Sequence, residues 1–124
     1  MQPGHFFPSI LWALIILLAS TLPGSELPKT QIPGIDKFIH ILFYVVLVFL
    51  LQIALVKQFI FSSKRYYAGT ISASISFFYG VFIEMLQYHL IDGRSFEILD
   101  VLANGIGCLL GIIIFKLVYY KITD

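Results

Sequence analysis

Polar residues able to bind or react recur at helical spacing in three stretches of an otherwise apolar chain: Asp36, Lys37, His40 and Tyr44; Glu84 and Gln87; Arg94, Asp100 and Asn104. Together they supply both signs of charge, an imidazole able to switch charge near neutrality, and a guanidinium whose planar fork suits carboxylate or phosphate. Such a set binds charged headgroups, and it can also move protons. In a reaction, His40 would be the general acid or base, with Glu84 or Asp100 as its partner and Arg94 stabilising negative charge. His40, Glu84 and Asp100 are therefore the catalytic candidates. A metal-dependent variant would draw its ligands from Asp36, His40, Glu84 and Asp100. No nucleophile elbow, HExxH motif or phosphate loop is present, and neither a metal site nor a cofactor is expected.

Each group also has a structural explanation. Asp36 at a helix start can simply meet free backbone N–H groups and the positive end of the dipole. That account leaves out Lys37, set off to the side, and His40 one turn deeper. Asp36, His40 and Tyr44 recur at i, i+4 and i+8 on one helix face, so His40 is either a buried hydrogen-bonded imidazole or a proton carrier or ligand. Glu84 follows a long run of apolar and small residues, where it must be paired, protonated or wetted. Gln87 shares its face, and Gly80 one turn away would let a neighbouring backbone approach. Ser95 suits a helix cap and Glu97 the first turn after it. Asp100, Asn104, Gly107 and Gly111 form a narrow stripe. Its glycines fit close helix contact inside one chain, or between copies in a homo-oligomer through Gly107 and Gly111.

The elements that position these residues are membrane helices. Hydrophobic residues make up 59% of 124 positions and charged residues 12%, against roughly 45–50% and 25% in soluble domains. A charge inside a spanning helix costs about 2.5–3.5 kcal/mol, which is why the polar residues stand out as functional candidates. The expected fold is all-α: a polytopic membrane protein, one domain over residues 1–124, with four transmembrane helices in a compact bundle. The spans are drawn at 6–22, 38–56, 66–86 and 98–120, each approaching the ~20 residues that cross a bilayer. Pro23-Gly24, Pro28 and Pro33-Gly34 break the first connection, a polar turn from Lys57 to Arg65 the second, and Asp92-Gly93 the third. The first stretch has no preceding Lys or Arg, so it reads as a retained span rather than a secretory signal.

Lys57, Lys64, Arg65, Lys116 and Lys121 fall on one side of this topology, and Lys29, Lys37 and Arg94 on the other. Positive-inside retention then predicts a multi-pass protein of the cell membrane with both termini cytoplasmic and the polar cluster extracytoplasmic. A net charge of +1 gives no basic field for nucleic acid. Phe and Tyr suit interfacial belts and lipid-facing packing. Cys108, the single cysteine, can form no intrachain disulfide, and among apolar neighbours it reads as a small buried thiol.

Three blocks resemble the VanZ-like membrane proteins. They are Asp36-Lys37-Phe38-Ile39-His40 followed by Tyr44; Tyr79-Gly80-Val81-Phe82-Ile83-Glu84-Met85-Leu86-Gln87; and Gly93-Arg94-Ser95-Phe96-Glu97-Ile98-Leu99-Asp100-Val101-Leu102-Ala103-Asn104, continuing to Gly107 and Gly111. Ser20-Thr21-Leu22-Pro23-Gly24 is similar to that family's exit from its first span. Glu97 stands where Asp is more usual. The family takes its name from a protein associated with teicoplanin resistance, and the resemblance implies a small multi-span protein of the cell envelope. It brings no catalytic residue set with it.

Three functions compete. The first is recognition of a lipid headgroup, a lipid-linked cell-wall precursor or a lipoglycopeptide, with Lys37 and Arg94 contacting anionic groups and Asp100 and Glu84 orienting those cations. The second is an intramembrane hydrolase or transferase on a lipid-linked phosphate. The third is a small transporter, although the polar residues stop near one face and no continuous pathway is visible. Membrane lipids are partners in all three.

Overall fold

The computed structural model of the chain describes residues 3–20, 35–59, 66–90 and 98–123, without the side chains at 3, 35, 36, 90 and 119–123. A 3-10 turn, Pro3–Phe6, leads into α1, Phe7–Ser20; α2 is Ile35–Gln58, α3 Ala68–Leu90 and α4 Ile98–Thr123. The described residues contain no strand. Three helices, α2 to α4, are long and apolar enough to cross a membrane, and the fold is that of a multi-pass membrane protein.

The first helix is the shortest of the four. Its apolar part, Gly4–Ser20, falls short of the length reached by the other three. The 3-10 turn compensates in part, because 3-10 residues rise about 2.0 Å each against 1.5 Å in an α-helix, and together the two segments cover about 29 Å. That is close to the ~30 Å hydrocarbon thickness. Pro8 is accommodated as the second residue of α1, in the first turn. The other helices overrun the spans drawn for them: α2 begins at Ile35 and α3 continues to Leu90.

The bundle is apolar outside and partly polar inside. Leu14, Leu18, Phe78, Phe82, Leu109 and Leu117 are exposed, whereas Gln52, Ser72, Ser76, Glu84, Gln87 and Asn104 are buried. Lipid is as apolar as leucine, so burying leucine against leucine gains little in a membrane. Close packing and hydrogen bonds hold helices together instead. The aromatic residues are accordingly not all in belts. Trp12 Nε1 donates to the Phe43 carbonyl at 2.9 Å, fixing α1 on α2, and the Tyr79 hydroxyl donates to the Ala13 carbonyl at 2.5 Å, fixing α3 on α1. Gln52 Nε2 donates to the Gly111 carbonyl at 3.3 Å, linking α2 to α4.

Helix α2 lies at the centre, touching the other three and packing most extensively on α4. The two α4 glycines make that contact possible. A Cβ at Gly107 would lie 2.6 Å from the Ile41 carbonyl oxygen, and one at Gly111 would lie 2.8 Å from Val48 Cβ. Both glycines thus serve close helix contact inside the chain. Ile16, Tyr44, Leu47, Val48, Ile83 and Cys108 form the adjoining core, with the Cys108 thiol buried as expected.

Gly107→Ala is expected to destabilise the protein by about 1–3 kcal/mol, since the backbone oxygen it meets cannot swing aside. Gly105→Ala is expected to be neutral or mildly stabilising, because its Cβ would meet only the Phe77 ring at 3.4 Å while helix propensity improves. Thermal unfolding of both variants in detergent micelles tests this, and equal shifts would show that close approach at Gly107 is not required.

Candidate functional site

The beginnings of α2 and α4 and the last turns of α3 meet at one end of the bundle. Helical spacing puts His40 and Tyr44 on the α2 face that meets α4, and Asp100 and Asn104 on the α4 face that carries Gly107. The glycine contact then draws the two faces together. His40 Nδ1 lies 3.0 Å from Asn104 Oδ1, Lys37 Nζ lies 2.7 Å from Asp100 Oδ1, and His40 Nε2 lies 3.9 Å from Asp100 Oδ2. Lys37, expected off to the side, uses its long flexible stem to reach the carboxylate from a neighbouring face.

These contacts fix what each group can do. The Asn104 carbonyl accepts the Nδ1 proton, which leaves Nε2 as the ring nitrogen open to a ligand or a proton. At 3.9 Å the approach of Nε2 to Asp100 is too long for a hydrogen bond and becomes an ion pair only when the ring is charged. Asp100 thus divides its two oxygens between a permanent cation and a conditional one. Exposure falls with depth: the Lys37 side chain is 25% exposed and that of His40 17%, while Tyr44, Glu84 and Asn104 are each 1% exposed.

Gly80 packs beneath these contacts. A Cβ there would lie 2.8 Å from Asn104 Nδ2 and 3.1 Å from Tyr44 Cζ. The glycine therefore admits two polar side chains, not the neighbouring backbone that its sequence context suggested. Glu84, one turn further along the same face, turns inward rather than toward lipid and stands within electrostatic range of Tyr44. Gln87 shares the helix face but serves another junction. Its Nε2 donates to the Ser20 carbonyl at 2.7 Å, satisfying one of the backbone acceptors left open at the end of α1.

Arg94, the cap expected at Ser95 and the first-turn Glu97 lie outside the described residues, as does the Asp36 side chain. Among the described residues no three His, Cys, Asp or Glu side chains are grouped to hold a metal ion. Sequence reasoning passed over Trp12, Gln52, Ser72 and Ser76. The lone tryptophan inside a span and a glutamine between apolar residues were the available signals. The serines carried none, being as common in close helix packing as in binding.

The arrangement of Lys37, His40, Gly80, Glu84, Asp100, Asn104 and Gly107 is built from the three sequence blocks already singled out, and a family comparison covers them all. The VanZ/LLP1 family model matches residues 4–119. The chain belongs to the VanZ/LLP1 family. Neither a curated protein nor a solved structure matches it. Within this VanZ/LLP1 domain, three of the four helices contribute directly to the polar cluster, and α1 is tied to it through Gln87.

A double-mutant cycle on Lys37→Met and Asp100→Asn, read as unfolding free energy in micelles, is expected to give a coupling of about 1–3 kcal/mol, because the ion pair is largely withdrawn from solvent. A coupling below about 0.5 kcal/mol would put the pair with ordinary exposed ion pairs.

Proposed function

We propose that this VanZ/LLP1 protein recognises the headgroup of a membrane amphiphile, either a lipid-linked cell-wall precursor or a lipoglycopeptide of the teicoplanin type, at the extracytoplasmic face of the cell membrane. The observation that carries this reading is the Lys37–Asp100–His40–Asn104 chain of contacts, with Lys37 and His40 partly open above a closed polar floor. Lys37 presents its ammonium to an anionic group, and Asp100 holds it in place. His40 Nε2 offers a second contact, oriented by Asn104. Arg94 adds a cation suited to phosphate or carboxylate, and Asp36 lies beside Lys37 in sequence. Glu84 and Tyr44 give the floor its polarity, while the apolar outer helix faces accommodate the acyl or isoprenyl part. The basic residues gathered at the far end support cytoplasmic termini and an outward-facing site.

One observation favours a second reading. An imidazole held by Asn104 on one nitrogen and facing Asp100 with the other has the geometry of a general acid or base, which suits hydrolysis or transfer on a lipid-linked phosphate.

Binding is tested with the full chain in nanodiscs, titrated separately with labelled lipid-linked precursor and labelled teicoplanin. Saturable binding of at least one is expected, weakened about ten-fold by Lys37→Met, which corresponds to about 1.4 kcal/mol. Binding unchanged in both Lys37→Met and His40→Gln would reject this site. For the catalytic reading, headgroup release from the precursor should exceed that of empty nanodiscs and disappear in His40→Gln; no release leaves recognition as the activity.

A further inference from the structure

The opposite end of the bundle holds a polar cavity, remote from the cluster just described. Its volume is about 100 Å³, and its polar lining comprises Gln52 of α2, Tyr66, Thr70 and the first turn of α3 at Gly69, and Lys116 of α4. That is room for a compact group with a few waters. Gln52 closes the floor, since its amide nitrogen is held on the Gly111 carbonyl. Gly69 keeps the space open, because a Cβ there would lie 3.1 Å from Gln52 Oε1.

Charge identifies the kind of occupant. Lys57, Lys64, Arg65, Lys116 and Lys121 belong to this end by position in the chain, with Asp124 as its one acidic residue; the other six acidic residues belong to the opposite end. Among the described residues, no ion pair engages Lys57 or Lys116. The cavity offers the Lys116 ammonium and the Thr70 hydroxyl, and the first-turn N–H groups of a 23-residue helix add the positive end of its dipole. Depth identifies the source. Tyr66 and Tyr67 are 70% and 63% exposed beside the cavity, in the manner of residues that anchor a helix at headgroup level. The compact anion abundant at that depth is a lipid phosphate.

We infer that this cavity binds the phosphodiester of an anionic phospholipid in the leaflet at the α2–α3 end, with Lys116 as its principal contact. The site is independent of the headgroup recognition proposed above, shares no residue with it, and stands or falls separately.

Native mass spectrometry of the full chain in mild detergent, titrated with phosphatidylglycerol or phosphatidylcholine, tests the assignment. Preferential retention of one phosphatidylglycerol is expected. Lys116→Gln should weaken that retention more than ten-fold, as expected for a charged hydrogen bond, and Lys116→Arg should restore most of it. Lys57→Gln removes the same charge from the same end but does not line the cavity. It should weaken retention by no more than about five-fold, the diffuse contribution of one basic residue near an anionic surface. Because Lys116 is exposed, its variants should keep the wild-type melting temperature. Equal losses for the two lysines, or no preference over phosphatidylcholine, would overturn the cavity as the site. Displacement of the lipid by millimolar inorganic phosphate would overturn the lipid as occupant.

Discussion

The close approach of α4 to α2 governs the rest of the structure. At Gly107 the two backbones are near enough that no side chain fits between them, and at Gly111 the gap is filled by Val48. A side chain at either position would push α4 outward. His40 and Asn104, which meet at 3.0 Å, and Lys37 and Asp100, which meet at 2.7 Å, lie at the end of the same contact. The polar cluster is thus a consequence of helix packing. Its geometry depends on residues two turns away that have no chemistry of their own.

The remaining junctions follow the same economy. Between helices in lipid, a polar side chain that finds a backbone carbonyl removes an unsatisfied group and fastens two elements at once. Trp12, Tyr79 and Gln87 do this for α1, the shortest helix and the one least able to hold its place by area alone. Gln52 does it for α2 and α4 at the far end. Side chains that look functional by type are in several cases fastenings, and Gln87 is the clearest example.

The two ends of the bundle differ in kind. One combines both signs of charge with an imidazole and a graded descent from partly open Lys37 to buried Asn104. The other is basic, with tyrosines at its rim and a small cavity. An end with mixed charge can orient a ligand, because Asp100 fixes the position of Lys37. A predominantly basic end attracts anions at a distance and needs only a shaped recess to hold one.

The helices, their number and the membership of each polar stripe were legible in the sequence, because periodicity is local: residues at i and i+4 share a face whatever surrounds them. Asp100, Asn104, Gly107 and Gly111 could be placed on one line, and His40 and Tyr44 on another. Which line meets which could not be read, since mutual rotation and separation of helices come from packing across the whole bundle. Only the tertiary structure decided that Lys37 reaches Asp100, that Gly80 admits the side chains of Tyr44 and Asn104, that Gln87 turns to α1, and that a 3-10 turn extends the short first helix. Composition set the membrane as solvent, and close packing, acting between residues far apart in the chain, chose the partners.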